Sequence, residues 1–169
     1  MTVPPGSVVL ELTRIEAVHL RGLVDQFVGL LADTTDATAD PAVSRLVPSA
    51  YPDDEDAAAQ FRSATQSDLL LRRTDDAAAV LADLTVAGDI GPPQEMATTD
   101  ALVELTIVLD RERTGAWLRT LAAVRLVLAS RLGIVSEDDH DPDDPRYGVY
   151  EWLGYRLDGL SRAASSGEV

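Results

Sequence analysis

The sequence predicts an all-α fold: a single-domain bundle of about six helices, with one short extended strand near the N-terminus. Three observations carry this. Apolar residues recur at spacings of three and four through most of the chain. Helix start and stop signals bracket those runs. Glycine–proline clusters and acidic stretches separate them. Residues 1–169 fit one domain, with 1–7 and 164–169 as frayed ends and 135–145 as an acidic loop. A domain of this length buries about two thirds of its unfolded surface.

Met1–Ser7 carry Pro4, Pro5 and Gly6 and read as a loose end. Val8–Val9–Leu10–Glu11–Leu12 reads as a strand with no partner elsewhere in the chain. It is expected to pair across a dimer or to remain an extended arm. Thr13 opens the first helix, and Glu16 three residues later completes a capping box. Leu20, Leu23, Val24, Phe27, Leu30 and Leu31 form its inward face, with His19 at the rim. Asp33–Asp40 is a polar loop.

Pro41 suits the first position of a short helix to Val47, which ends before Pro48. Asp53, Asp54, Glu55 and Asp56 fit the positive end of a helix dipole better than a metal site. That third helix runs to about Arg73, with Ala57, Phe61, Ala64 and Leu71 on one face and Asp68 among them. Thr74 is expected to cap a fourth helix that buries Ala77, Val80, Leu81 and Leu84 and stops at Gly88. Asp89–Glu95 is a connector. Thr98–Arg111 reads as a helix with Ala101, Leu102, Leu105, Val108 and Leu109 on one side. A break is expected at Gly115, with Thr114 as the next cap.

Trp117–Ile134 is the segment around which the chain is organised. Trp117, Leu121, Val124, Leu128 and Leu132 form an apolar stripe, widened by Leu118 and Ala129. At ~1.5 Å per residue the helix spans roughly 27 Å, the diameter of a small domain. Gly133 is its stop, Ile134 folds back on the last turn, and Arg131 complements the negative dipole end. Arg125 interrupts the stripe. Its guanidinium either snorkels to water or meets a carboxylate, since an unpaired buried charge is costly. The carboxylates expected to answer it are Asp68 first and Glu104 second.

Between Ile134 and Arg146 the chain is acidic, with Pro142, Pro145 and six acids, and reads as a mobile loop. Asp139, Asp141 and Asp143 alternate like the start of a calcium loop. Asp144 replaces the required glycine and Tyr150 the closing acid, so that pattern fails. His140 is expected at the surface. A last helix, about Tyr147–Ala163, buries Val149, Leu153, Leu157 and Leu160, with Trp152 and Tyr155 flanking.

Composition narrows the function classes. There is no cysteine, so disulfides, thiolate nucleophiles and zinc–thiolate sites are excluded. The absence of lysine and asparagine fits a GC-rich genome, because both use codons beginning AA. The net charge of −15 repels nucleic acid and suits a basic protein surface. No apolar run reaches the ~20 residues of a membrane helix, and the start lacks the pattern of a secretory signal. A cytoplasmic, membrane-free location is expected. No paired histidines, nucleophile elbow or phosphate loop occurs. No catalytic residue, metal ligand or cofactor is therefore assigned, and an enzyme is not expected.

Three motifs together resemble a known family. They are Arg45–Leu46–Val47–Pro48 through Ala50–Tyr51–Pro52–Asp53–Asp54 with Phe61–Arg62; Trp117–Leu118 and Leu121 with Arg125–Leu126–Val127–Leu128 and Arg131–Leu132–Gly133–Ile134; and Val149–Tyr150–Glu151–Trp152–Leu153. Their order and spacing are similar to DUF2017, an actinobacterial family of helical proteins of unknown function. The resemblance covers nearly the whole chain. It implies a gene neighbourhood shared with the Clp protease adaptor. It also implies, for some members, an oxidative-stress transcription regulator that acts by binding a sigma factor, with a cysteine pair as the redox sensor. This chain has no such pair, and it carries Ala122–Ala123 where many relatives place Asn–Asp.

The expected function is transcription regulation through a protein partner, the sigma factor or RNA polymerase, without a redox switch. The alternatives are direct DNA binding through the locally basic Arg111–Arg131 region, or an accessory role in Clp proteolysis. Trp117, Trp152 and Tyr155 are the expected interaction surface. Homodimerisation is expected from Trp117, Trp152 and the unpaired Val8–Leu12 arm.

Overall fold

The computed structural model describes residues 4, 6–88, 96–136, 140–141 and 143–166. The expected connector at Asp89–Glu95, the acids Glu137–Asp139 and the ends Met1–Val3 and Gly167–Val169 lie outside the described residues. The elements follow in the order β1 (Val8–Thr13), α1 (Arg14–Asp33), α2 (Pro41–Ser44), α3 (Glu55–Ala87), α4 (Thr98–Ala101), β2 (Glu104–Leu109), α5 (Arg111–Leu132) and α6 (Gly148–Ser166). A 3-10 turn at Pro145–Tyr147 leads into α6. The fold is mostly helical, as expected, with one two-stranded sheet.

That sheet corrects the sequence reading twice. β1 is neither an open arm nor a dimer strand, because it pairs antiparallel with β2 from Val8↔Leu109 to Thr13↔Glu104. β2 occupies residues expected to be helical. Leu102, Leu105 and Leu109 fit helical spacing, but Leu105, Ile107 and Leu109 also alternate, and the pairing strand decides between the two periods. Val8, Leu10 and Leu12 join those three in the core, while Val9, Glu11 and Thr106 face out. Arg156 on α6 donates to the Glu11 carbonyl at 3.1 Å and so covers part of the open edge of β1.

Local signals set the helix ends. Thr13 and Glu16 form the expected capping box at α1. Asp54 caps α3 by accepting from the Ala57 N–H at 3.0 Å, with Glu55 and Asp56 in the first turn. α5 ends at Gly133 with φ 73°, and the Ile134 N–H returns to the Ala129 carbonyl at 2.8 Å, burying Ile134 on the last turn.

Two expected helix breaks are absent. α3 runs unbroken through Thr74, whose hydroxyl donates to the Leu70 carbonyl at 3.0 Å instead of capping a new helix. α5 likewise passes through Thr114 and Gly115. Asp110 is its cap, accepting from the Arg113 N–H at 2.8 Å, and the Thr114 hydroxyl donates to the Asp110 carbonyl. The cost of about 1 kcal/mol for an internal glycine is small beside the burial of Trp117 next to it. α2 is shorter than expected, ending at Ser44. Residues Ala164–Ser166, expected to fray, remain in α6.

α5 is the rod of the bundle. It packs against α3 and α6 and also touches α1, α2 and β2. Trp117, Leu121, Ala123 and Val124 enter the core with Leu20, Val24 and Phe27 of α1, Val80 and Leu84 of α3, and Leu153 and Leu160 of α6. The N-terminal half of α3 is different. Phe61, Ala64, Asp68 and Leu71 face solvent, and Ala58 and Leu70 are the buried positions there.

Candidate functional site

The expected site residues do not converge. Trp117 is 0% exposed and belongs to the core, not to an interaction surface. Asp68 and Glu104 are exposed, and neither forms an ion pair with Arg125 among the described residues. Arg125 instead lays its guanidinium over the Tyr150 ring, 3.9 Å from the centroid, with Nε 3.4 Å from the Tyr150 carbonyl. The neighbour that answers this charge is a π face from the turn-by-turn packing of α6, which no spacing within α5 reveals.

Trp152 and Tyr155 do reach the surface. Trp152 is half-buried, and Tyr155 is 72% exposed. Trp152 borders a groove of about 520 Å³ between α1 and α6, lined by Val18, His19, Gly22, Leu23 and Gln26 on one side and Val149 on the other. Val149, expected in the core, is 48% exposed at the groove mouth.

Glu16 anchors the groove. The same carboxylate that completes the α1 cap accepts from the Thr13 N–H at 2.8 Å and the Thr13 hydroxyl at 3.0 Å. It also accepts from the Trp152 indole at 2.8 Å and from Arg156. Burial pushes this carboxyl up, but the bonds from Arg156, Thr13 and Trp152 outweigh it and lower the pKa to about 2. A capping residue thus becomes the clamp joining α1 to α6. The S/T-x-x-E signature showed its first role and hid its second.

A second polar contact lies inside. Asp83 of α3 is 3% exposed and accepts from the Trp117 indole at 2.9 Å, with Arg113 Nη2 3.0 Å from its other oxygen. This is the partner that lets an indole sit in the core. Sequence reading missed it, because Asp83 falls beside Leu84 as an ordinary polar interruption of a helix.

The arginines of α5 are largely spent within the molecule. Besides Arg113, Arg119 binds Asp76 bidentately at 2.7 and 2.8 Å, and Arg131 binds Asp40 at 2.6 Å. Arg131 holds the Asp40 carboxyl below its usual range, and Asp76 raises the Arg119 guanidinium above its own. Three of the five arginines in the locally basic region are thereby paired with acids of the same chain.

His140 also departs from expectation. Its side chain is 3% exposed, with Nε2 2.6 Å from Glu151 and its ring 4.7 and 5.3 Å from the centroids of Tyr147 and Tyr150. Two aromatic residues flanking the start of α6 make a slot for it. Among the described residues, no three His, Cys, Asp or Glu side chains stand close enough to hold a metal ion. No helix among them is long and apolar enough to cross a membrane.

Of the features that motivated a homodimer, Trp117 is buried in the core and the Val8–Leu12 strand pairs with β2 of the same chain. Comparison with curated proteins and with solved structures gave no match. The model of the domain of unknown function DUF2017 matches residues 2–164. With nearly the whole chain matched, this protein belongs to the DUF2017 family.

Proposed function

We propose that the chain is a non-catalytic regulator that docks through the α1–α6 groove onto a basic partner protein. The partner class is the sigma factor that the family resemblance implies or the RNA polymerase it joins, and the contact needs no cysteine switch. The observation that carries this reading is an apolar groove, with Val149 and Trp152 at its mouth, on a chain of net charge −15. Apolar anchors supply affinity, and the surplus of carboxylates steers a basic surface toward them. Consumption of Arg113, Arg119 and Arg131 by internal acids supports a protein partner over duplex DNA. The same groove could serve self-association through Trp152, which a mass measurement reads separately.

The test is titration of the purified chain against the sigma factors and core polymerase of its source, at low and physiological salt. Expected is saturable binding that weakens with salt and falls about tenfold or more in Val149→Asp. Duplex DNA and the Clp adaptor serve as the competing ligands. Binding to either of these alone overturns the reading. Binding that survives Val149→Asp but is lost in Phe61→Asp moves the interface to α3 and overturns the groove assignment.

A further inference from the structure

We propose that a pocket between α5 and α6 binds a small organic carboxylate with an apolar body, a site separate from the α1–α6 groove. The pocket holds about 330 Å³ and is lined by Arg45, Arg125, Leu126, Ile134, Tyr150 and Leu157. That size lies at the lower end of small-molecule sites. The side chains divide its lining into a cationic part and an aliphatic part.

Arg125 is the head-group candidate. A guanidinium offers five N–H donors, and Arg125 spends one, on the Tyr150 carbonyl at 3.4 Å. The Tyr150 ring lies against one face of the guanidinium. Gly154 lies close by: a Cβ there would stand 3.0 Å from Arg125 Nε and 3.2 Å from Nη2. The fork is therefore held in place by packing while its remaining donors stay unspent. That is the preorganised state suited to a bidentate carboxylate.

Among the described residues, the acids that share a depression with Arg125 are already engaged. Arg125 also borders a shallow depression containing Glu151 and Asp158. Glu151 is bound to His140, and Asp158 to Arg162. Arg45 has one long contact, Nη1 to the Ile134 carbonyl at 3.4 Å, and no acidic partner among the described residues. The pocket thus brings together two guanidiniums that have no carboxylate partner among the described residues. Leu126, Ile134 and Leu157 then supply the surface for an apolar body.

Benzoate, benzamide and phenylphosphate are the probes, added to the full chain and followed by NMR at the Arg125 Nε–H and the Tyr150 ring. Benzoate is expected to saturate and to move both signals, and the neutral isostere benzamide to move neither. Arg125→Gln should weaken benzoate binding about tenfold or more, the scale of one charge-assisted hydrogen-bond pair. Gly154→Ala is the second variant. Its methyl meets the far end of the Arg125 side chain and no backbone, so the bundle keeps its fold while the guanidinium is displaced and benzoate affinity falls. Equal responses to benzoate and benzamide, tighter binding of phenylphosphate, or unchanged benzoate affinity in both variants would overturn the assignment.

Discussion

Replacing Glu16 by glutamine is the sharpest test of how the groove is held. Glu16 accepts four hydrogen bonds: two from Thr13, one from the Trp152 indole, and one from Arg156. Glutamine keeps one carbonyl oxygen, which can still serve Trp152. It loses the charge facing Arg156 and turns an amide donor toward the Thr13 N–H. A hydrogen bond to a charged group is worth about 1.5–3 kcal/mol, and partial exposure of both side chains trims that. The net loss is about 2 kcal/mol, or about 4–8 °C in Tm for a chain of this size.

The pH dependence carries a definite sign. The folded carboxyl sits at about 2, below its ordinary 4.5. Its contribution is therefore complete above 4.5 and is lost as pH falls through that window toward 2. Urea unfolding followed by tryptophan fluorescence, for wild type and Glu16→Gln at a series of pH values, reads the difference directly. The gap should be constant from neutrality to about pH 5 and shrink by about pH 3. A gap below about 0.5 kcal/mol, or one that does not narrow in acid, would refute the clamp.

Three further outcomes follow from the packing. Trp117→Phe strips the indole donor from buried Asp83 and should cost about 1–3 kcal/mol by urea unfolding, more than its lost area alone. Gly133→Ala forces a methyl into a backbone at φ 73° and should cost about 1 kcal/mol, with amide exchange quickest in the last turn of α5. His140→Ala empties the slot between Tyr147 and Tyr150 and frees Glu151. Limited proteolysis should then cut between residues 134 and 147 faster, while global stability falls by no more than about 1–2 kcal/mol.

What was legible in the sequence was local. The Thr13–Glu16 box, the Asp54 cap, the Gly133 stop and the central position of Trp117–Leu132 all depend on residues within a turn or two of each other. Their chemistry acts the same in any tertiary setting. The acid surplus was legible for the same reason, since net charge needs no geometry. None of these features identifies a partner, and the site residues named from spacing alone were scattered by the fold.

Tertiary structure decided everything that joins distant segments. Glu104–Leu109 satisfies two periodicities, and only β1, far back in the chain, made it a strand. Thr74 could cap or continue a helix, and the packing of the flanking α3 residues Leu70, Ala77 and Val80 favoured continuation. Arg125 needed a neighbour, and whether that was a carboxylate or the face of Tyr150 depended on how α6 lay across α5. Glu16 reads as a cap in sequence and becomes a clamp only where α6 brings Trp152 and Arg156 to it. The physical reason is common to all four. Backbone preferences differ by about 1 kcal/mol or less, while burial of a side chain against a distant partner is worth several times that.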